Sequence, residues 1–295
     1  MLACAAGGAL GQVPGADAAA PPENALTSPV TWAAFVLAAL VLAGLFWKRL
    51  LRGGSLKGRD LGPHGVWTWL VAAGVLFVTP ALGQVGVLLL PQGQGTDTLR
   101  GHATVGLIGY AASITVAVVL ARLIHASAPG AGFGVRAKHL GLGLGAMAVC
   151  VPVVYAASII AAVVYERVTG TEIDDNVAHS TLRTIVDNRV DPWAWVMIGL
   201  AVVAAPIQEE LLYRGFLQSA VLSVTRRPWV AVAATSAVFA VAHRTAGVPW
   251  YAVVTLFVLS VCLGAAFERW RSIGVPIAMH MAFNGANVVL AMVIA

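Results

Sequence analysis

The stretch "PIQEELLYRGF", residues 206–216, sets Glu209, Glu210 and Arg214 inside an otherwise oily chain. A charge near a bilayer centre costs at least ~2.5–3.5 kcal/mol on insertion scales. The surroundings are nonetheless those of a membrane protein. Of 295 residues, 59% are hydrophobic and 11% charged, with mean hydropathy +0.84; soluble domains carry about 25% charged residues. Apolar runs long enough to span a bilayer fall at 29–47, 66–90, 103–125, 139–164, 193–222, 229–246, 250–267 and 275–294. The fold class expected is therefore all-α, a polytopic transmembrane helical bundle of about eight helices.

The net charge of +5 is modest. Its basic residues lie between the apolar runs, in "KRLLRGGSLKGR" (48–59), "GVRAK" (134–138), "TRRP" (225–228) and "ERWR" (268–271). That placement is explained by topology, so no nucleic acid partner is expected. These alternate loops share one side of the membrane. Taking it as cytoplasmic puts both termini outside. Residues 1–28, rich in Ala, Gly and Pro and free of Lys and Arg, read as a flexible extracytoplasmic tail. Residues 165–192 read as a polar outer loop with nothing catalytic in it. Cys4, Cys150 and Cys262 show no CxxC spacing, so neither a disulfide framework nor a thiolate zinc site is indicated. Trp47, Trp67, Trp69, Trp193, Trp229 and Trp270 near segment ends fit an interfacial belt.

The strongly polar residues inside apolar segments are Gln208, Glu209, Glu210 and Arg214 on the fifth, His243 on the sixth, and His280 and Asn284 on the eighth. The seventh offers almost nothing. Such residues face the bundle interior or a wet cavity and mark functional sites by default. Glu210 and Arg214 are i and i+4, spaced to pair, which offsets the burial cost of both. Glu209 lies about 100° round the helix and stays free to act as a base. His280 and Asn284 share one face, as do Phe239 and His243. One carboxylate, two imidazoles and an amide can activate a water and stabilise an oxyanion, which suits amide hydrolysis. The same set can hold a divalent metal, with Glu209, His243 and His280 as the candidate ligands. The other histidines, His64, His102, His125, His139 and His179, sit at segment ends or in loops.

"EELLYRG" (209–215), "FAVAH" (239–243) and "HMAFN" (280–284) resemble the three motifs of the CPBP family of intramembrane proteases, EExxxR, FxxxH and HxxxN/D. That family includes the CAAX prenyl endopeptidases and Abi-type proteins linked to bacteriocin processing. The likeness covers roughly 190–295. It implies a catalytic helical core over 193–295, after transmembrane helices at 29–164, with the active site among the C-terminal helices. It implies an intramembrane endopeptidase acting on a membrane-associated peptide or protein within the lipid bilayer. Glu209 with His243 would activate water, His280 and Asn284 would form the oxyanion site, and Glu210, Arg214 and Phe239 would support them. The four residues work without metal, with zinc as the alternative; no HExxH occurs. The other readings are a proton-coupled transporter and a non-catalytic membrane scaffold. The Ala- and Gly-rich, short-loop sequence reads as bacterial, so a bacterial inner (cytoplasmic) membrane is expected.

Depth poses a geometric difficulty. His243 lies ~21 Å along its helix from Trp229, but His280 only ~8 Å from Val275. Either the sixth helix begins before Trp229 enters the membrane, or "ERWRSIGVP" dips inward. The fifth segment, ~48 Å over 193–224, exceeds a ~30 Å core; it must overhang, tilt or break, with Pro206 the expected place for a bend.

Overall fold

The computed structural model describes residues 28–90, 95–170, 187–244 and 248–294. The expected tail, apart from residue 28, and most of the expected polar loop, 171–186, lie outside the described residues. Eight helical rods follow in order among the described residues. They are α1 (Pro29–Trp47), α2 (Val66–Leu89), α3 (Leu99–Ser127), α4 (Ala137–Thr169), α5 (Pro192–Thr225), α6 (Pro228–Arg244), α7 (Trp250–Trp270) and α8 (Gly274–Ile294). No strand is present among them. The helical bundle expected from the long apolar runs is thus borne out. Seven rods are long and apolar enough to cross a membrane. The eighth, α6, has 17 residues and so reaches ~26 Å, short of a ~30 Å core.

α5 lies at the centre and touches α2, α3, α6, α7 and α8, whereas α1 packs at the edge on α4. The main core gathers Leu211, Phe216 and Ala220 of α5 with Trp69, Phe133, Phe239 and Phe267. Trp69 corrects the belt expectation: it is 0% exposed and stacks on Phe133 at 6.4 Å. Its ring lies in the protein rather than at the interface. Trp47 and Trp67 are exposed, as a belt requires. Cys150 and Cys262 are free thiols packed against one apolar cluster of α4, α7 and α8.

The basic loops meet at one end of the bundle. Trp229 Nε1 donates to Arg52 O at 3.1 Å. Arg59 Nε donates to Glu268 Oε1 at 3.1 Å, and its guanidinium stacks on Phe267 at 3.9 Å. Ser272 Oγ donates to Gly134 O at 2.7 Å. The shared side inferred from loop alternation is therefore also a contact surface. The bounds of the seventh segment are also corrected: α7 runs to Trp270, so Glu268, expected in the loop "ERWR", lies on the helix, where it is buried and accepts from Gln218 Nε2 at 2.8 Å.

These contacts resolve the depth difficulty. The α7–α8 turn is set into the protein, with Ser272, Ile273 and Val275 buried. The connection before α4 covers it, through Ile273 N to Gly132 O at 2.8 Å. A recessed start lets a short run of α8 reach as deep as a long run of α6.

α5 departs from a plain bend at Pro206. It is wound as π-helix over Leu200–Ala204 and again over Leu211–Leu217, with Ala205–Glu210 in ordinary α form between them. Such insertions occur frequently at functional sites. α2 also changes winding, to 3₁₀ from Thr79, one residue before Pro80. There its backbone closes on α3: a Cβ on Gly83 would collide with Val105 O and lie 3.1 Å from Gly109 N. Small residues permit such approach where helix packing drives association. Gly83→Val is expected to destabilise the protein by about 1–3 kcal/mol, read as a lower unfolding temperature in detergent; an unchanged temperature would contradict the close crossing.

Candidate active site

The three motifs converge where α5, α6 and α8 meet. Glu209 and Glu210 occupy the end of the short α segment, and Arg214 lies within the second π stretch. His243 stands in the last turn of α6, and His280 in the second turn of α8.

The inferred pair forms. Arg214 Nη1 bonds Glu210 Oε1 at 2.7 Å, with both side chains buried. Arg214 Nη2 reaches Ser260 Oγ of α7 at 2.7 Å, and its guanidinium lies over Phe239 of α6, 4.6 Å from the ring centroid. Ser260 was not legible as a partner, because a lone serine in an apolar run looks like ordinary filling. Glu210 Oε1 also takes His280 Nδ1 at 2.8 Å. A carboxylate only accepts, so Nδ1 carries the hydrogen and Nε2 is the bare nitrogen of the neutral ring.

His243 is set in the same manner. Its Nδ1 contacts Phe239 O at 2.8 Å, and a carbonyl also only accepts. Its ring packs on Phe239 at 4.4 Å. Both bare Nε2 atoms then face Glu209. The separations to Glu209 Oε2 are 3.8 Å from His243 and 4.0 Å from His280. These are too long for direct hydrogen bonds and suit a bridging water. Glu209 is 14% and His243 23% exposed, against 0% for the Glu210 side chain. One glutamate is sealed in by its cation; its neighbour is open to a ligand.

Asn284 lies one turn beyond His280 and turns to α5, where Nδ2 donates to Ala201 O at 2.9 Å. Its amide group has a second N–H. Gln208 is buried, its Nε2 directed to Leu76 O at 3.5 Å. Phe239 is fully buried and touches Tyr213, His243 and His280 by its ring. Of the remaining histidines, His64 bonds Ser127 at the end of α3, and His139 in the first turn of α4 bonds Ser272 of the α7–α8 turn; His179 lies outside the described residues.

Among the described residues, no three His, Cys, Asp or Glu side chains are grouped to hold a metal ion. The donors of Glu209, His243 and His280, as they stand, are not gathered into a zinc site.

The ion pair makes a direct prediction. Glu210→Gln leaves Arg214 buried beside a neutral amide and is expected to cost about 3–5 kcal/mol. Replacing both residues, Glu210→Gln with Arg214→Met, is expected to be milder. Unfolding temperatures of the single and double variants check this; a single no worse than the double would contradict it.

Residues 191–286 match the family model described as Type II CAAX prenyl endopeptidase Rce1-like. No curated protein and no solved structure matches the chain. The matched segment spans α5 to most of α8 and holds Glu209, Glu210, Arg214, His243, His280 and Asn284. Over residues 191–286, about a third of its length, this chain is similar to the Rce1-like type II CAAX prenyl endopeptidase family, and the resemblance carried by the three motifs is borne out at that level.

Proposed function

We propose that this protein is an intramembrane endopeptidase that hydrolyses a peptide bond of a membrane-associated substrate with a water activated by Glu209 and His243. The observation that carries the reading is the placement of one carboxylate oxygen within 4.0 Å of two imidazole nitrogens from two other helices. Bare Nε2 atoms and a carboxylate are all acceptors, and a water placed among them has two hydrogens to give. One hydrogen bond goes to Glu209 Oε2 and the other to His243 Nε2; one of these two acceptors takes the proton as the water oxygen bonds to the scissile carbonyl carbon.

As that carbonyl becomes tetrahedral, its oxygen needs donors. His280 donates from Nε2 once it takes up a second proton from solvent, with Glu210 Oε1 still accepting from Nδ1; as the imidazolium it no longer accepts from the water. The second N–H of Asn284 is the other donor that the family resemblance supplies. The proton on Glu209 or His243 then passes to the leaving amine. This course needs no metal. Glu210, Arg214 and Phe239 keep the imidazoles in register and do not touch the substrate.

The catalytic core is assigned to 193–295, and the earlier helices are its flank. The end where the basic loops gather is assigned to the cytoplasm by its positive charge. A multi-pass protein of a bacterial inner membrane fits this reading.

The test compares peptide termini in membranes from cells making the wild type and Glu209→Gln. New termini are expected only with the wild type, and they name the substrate. Cleavage undiminished by Glu209→Gln would sink the assignment. A chelator is expected to leave the rate within about twofold, because the proposed water is activated by side chains alone; a chelator-dependent loss restored by zinc would require a different arrangement of these ligands.

A further inference from the structure

The bond from Asn284 to Ala201 has a cause in the helix it reaches. Over Leu200–Ala204 the backbone runs in i→i−5 register, as the Ala205 N–H to Leu200 O bond displays. The next bond of that register runs from residue 206 to Ala201. Residue 206 is proline and has no N–H. Ala201 O therefore loses its intrahelical donor within a segment apolar enough to cross a membrane, where no bulk water replaces it. The Asn284 amide occupies that place at 2.9 Å.

We propose that Asn284 is a positioning residue that stands in for the missing Pro206 N–H, clasps the π turn of α5 to α8 and thereby fixes Glu209 against His280. This deepens the proposed function and rests on that reading. Two ties join the same pair of helices. Asn284 holds Ala201, and His280 holds Glu210 at 2.8 Å. They lie ~6 Å apart along α8 and ~13 Å apart along α5. One tie alone is a pivot; two fix both rotation and sliding. Gly285, beside Asn284, faces the π turn: a Cβ there would make ordinary contact with Val202 at 3.6 Å. Glu209 follows Pro206 by three positions, so the missing donor and the candidate base share one short segment.

Pro206→Ala supplies the absent N–H and so makes the test specific. Wild type, Asn284→Ala, Pro206→Ala and the double variant are compared in lipid nanodiscs by unfolding temperature, and by kcat and KM on the substrate found above. In the wild-type background Asn284→Ala is expected to lower the unfolding temperature and to cut kcat by about a hundredfold, the scale of a 1 Å misplacement, with KM little changed. In the Pro206→Ala background the same substitution is expected to hurt about tenfold less, a coupling in the range of contacting pairs, and to leave the unfolding temperature nearly unchanged. Equal penalties in both backgrounds would overturn the clasp and leave Asn284 acting on the substrate alone. Should Pro206→Ala not fold, Asn284→Asp serves: it keeps the shape but places an acceptor against a carbonyl, and a wild-type unfolding temperature for it would equally overturn the proposal. The unfolding readout needs no activity, so a failure of the protease reading and a failure of the clasp are separately visible.

Discussion

The buried pair of Glu210 and Arg214 is the constraint on which the rest of the site depends. Two charges removed from water are tolerated when geometry is close and remaining polar groups find partners. Here a single oxygen, Glu210 Oε1, takes both Arg214 and His280, while Oε2 is buried without a hydrogen bond among the described residues. Arg214 extends to Ser260 and lies over Phe239. One pair thus engages α5, α6, α7 and α8. It also divides two adjacent glutamates into different roles. The neutralised one organises; the other, a third of a turn round, faces two imidazoles whose tautomers are already set by Glu210 and by the Phe239 carbonyl.

The same economy of partners governs the backbone. A proline and two π stretches in one helix leave carbonyls without their usual donors, and in a membrane span each must be met from elsewhere. α8 meets α5 twice, once by a charged contact and once by an amide. At the basic end a second buried set, Arg59, Gln218 and Glu268, joins the first inter-helix connection to α5 and α7. There Gly264 gives up a side chain so that Gln218 Nε2 can reach its carbonyl at 3.2 Å; a Cβ would lie 2.8 Å from the Gln218 oxygen. The site end and the basic end are held by the same device: a buried charge whose partners come from several helices.

Much of this was legible in the sequence, for identifiable reasons. Helical spacing of four pairs Glu210 with Arg214, and the structure joins them. The rarity of charge in apolar runs selects Glu209, His243 and His280, and these meet. Loop charge puts the basic connections on one side, and they touch. What was not legible depends on contacts that no local pattern carries. Ser260 and Ala201 are unremarkable in sequence, and their roles come from Arg214 and Asn284 arriving from other helices. The Arg59–Glu268 contact joins residues 209 apart. Trp69 sits near a helix end as a belt residue would, yet faces the core, because position along a helix does not give the side it presents. The π register is invisible to a 3.6-residue period, so a bend was expected at Pro206 where the helix instead widens on both sides of the candidate glutamate.

The most direct test of the central claim is a double-mutant cycle on cleavage by the purified protein in nanodiscs, using Glu209→Gln, His243→Ala and the two together. Groups that act as one unit are strongly non-additive in rate. The account predicts that each single variant loses nearly all cleavage and that the double loses no more than either. Losses that multiply, or a Glu209→Gln protein that is folded and still cleaves, would contradict the claim that this carboxylate and imidazole share one water.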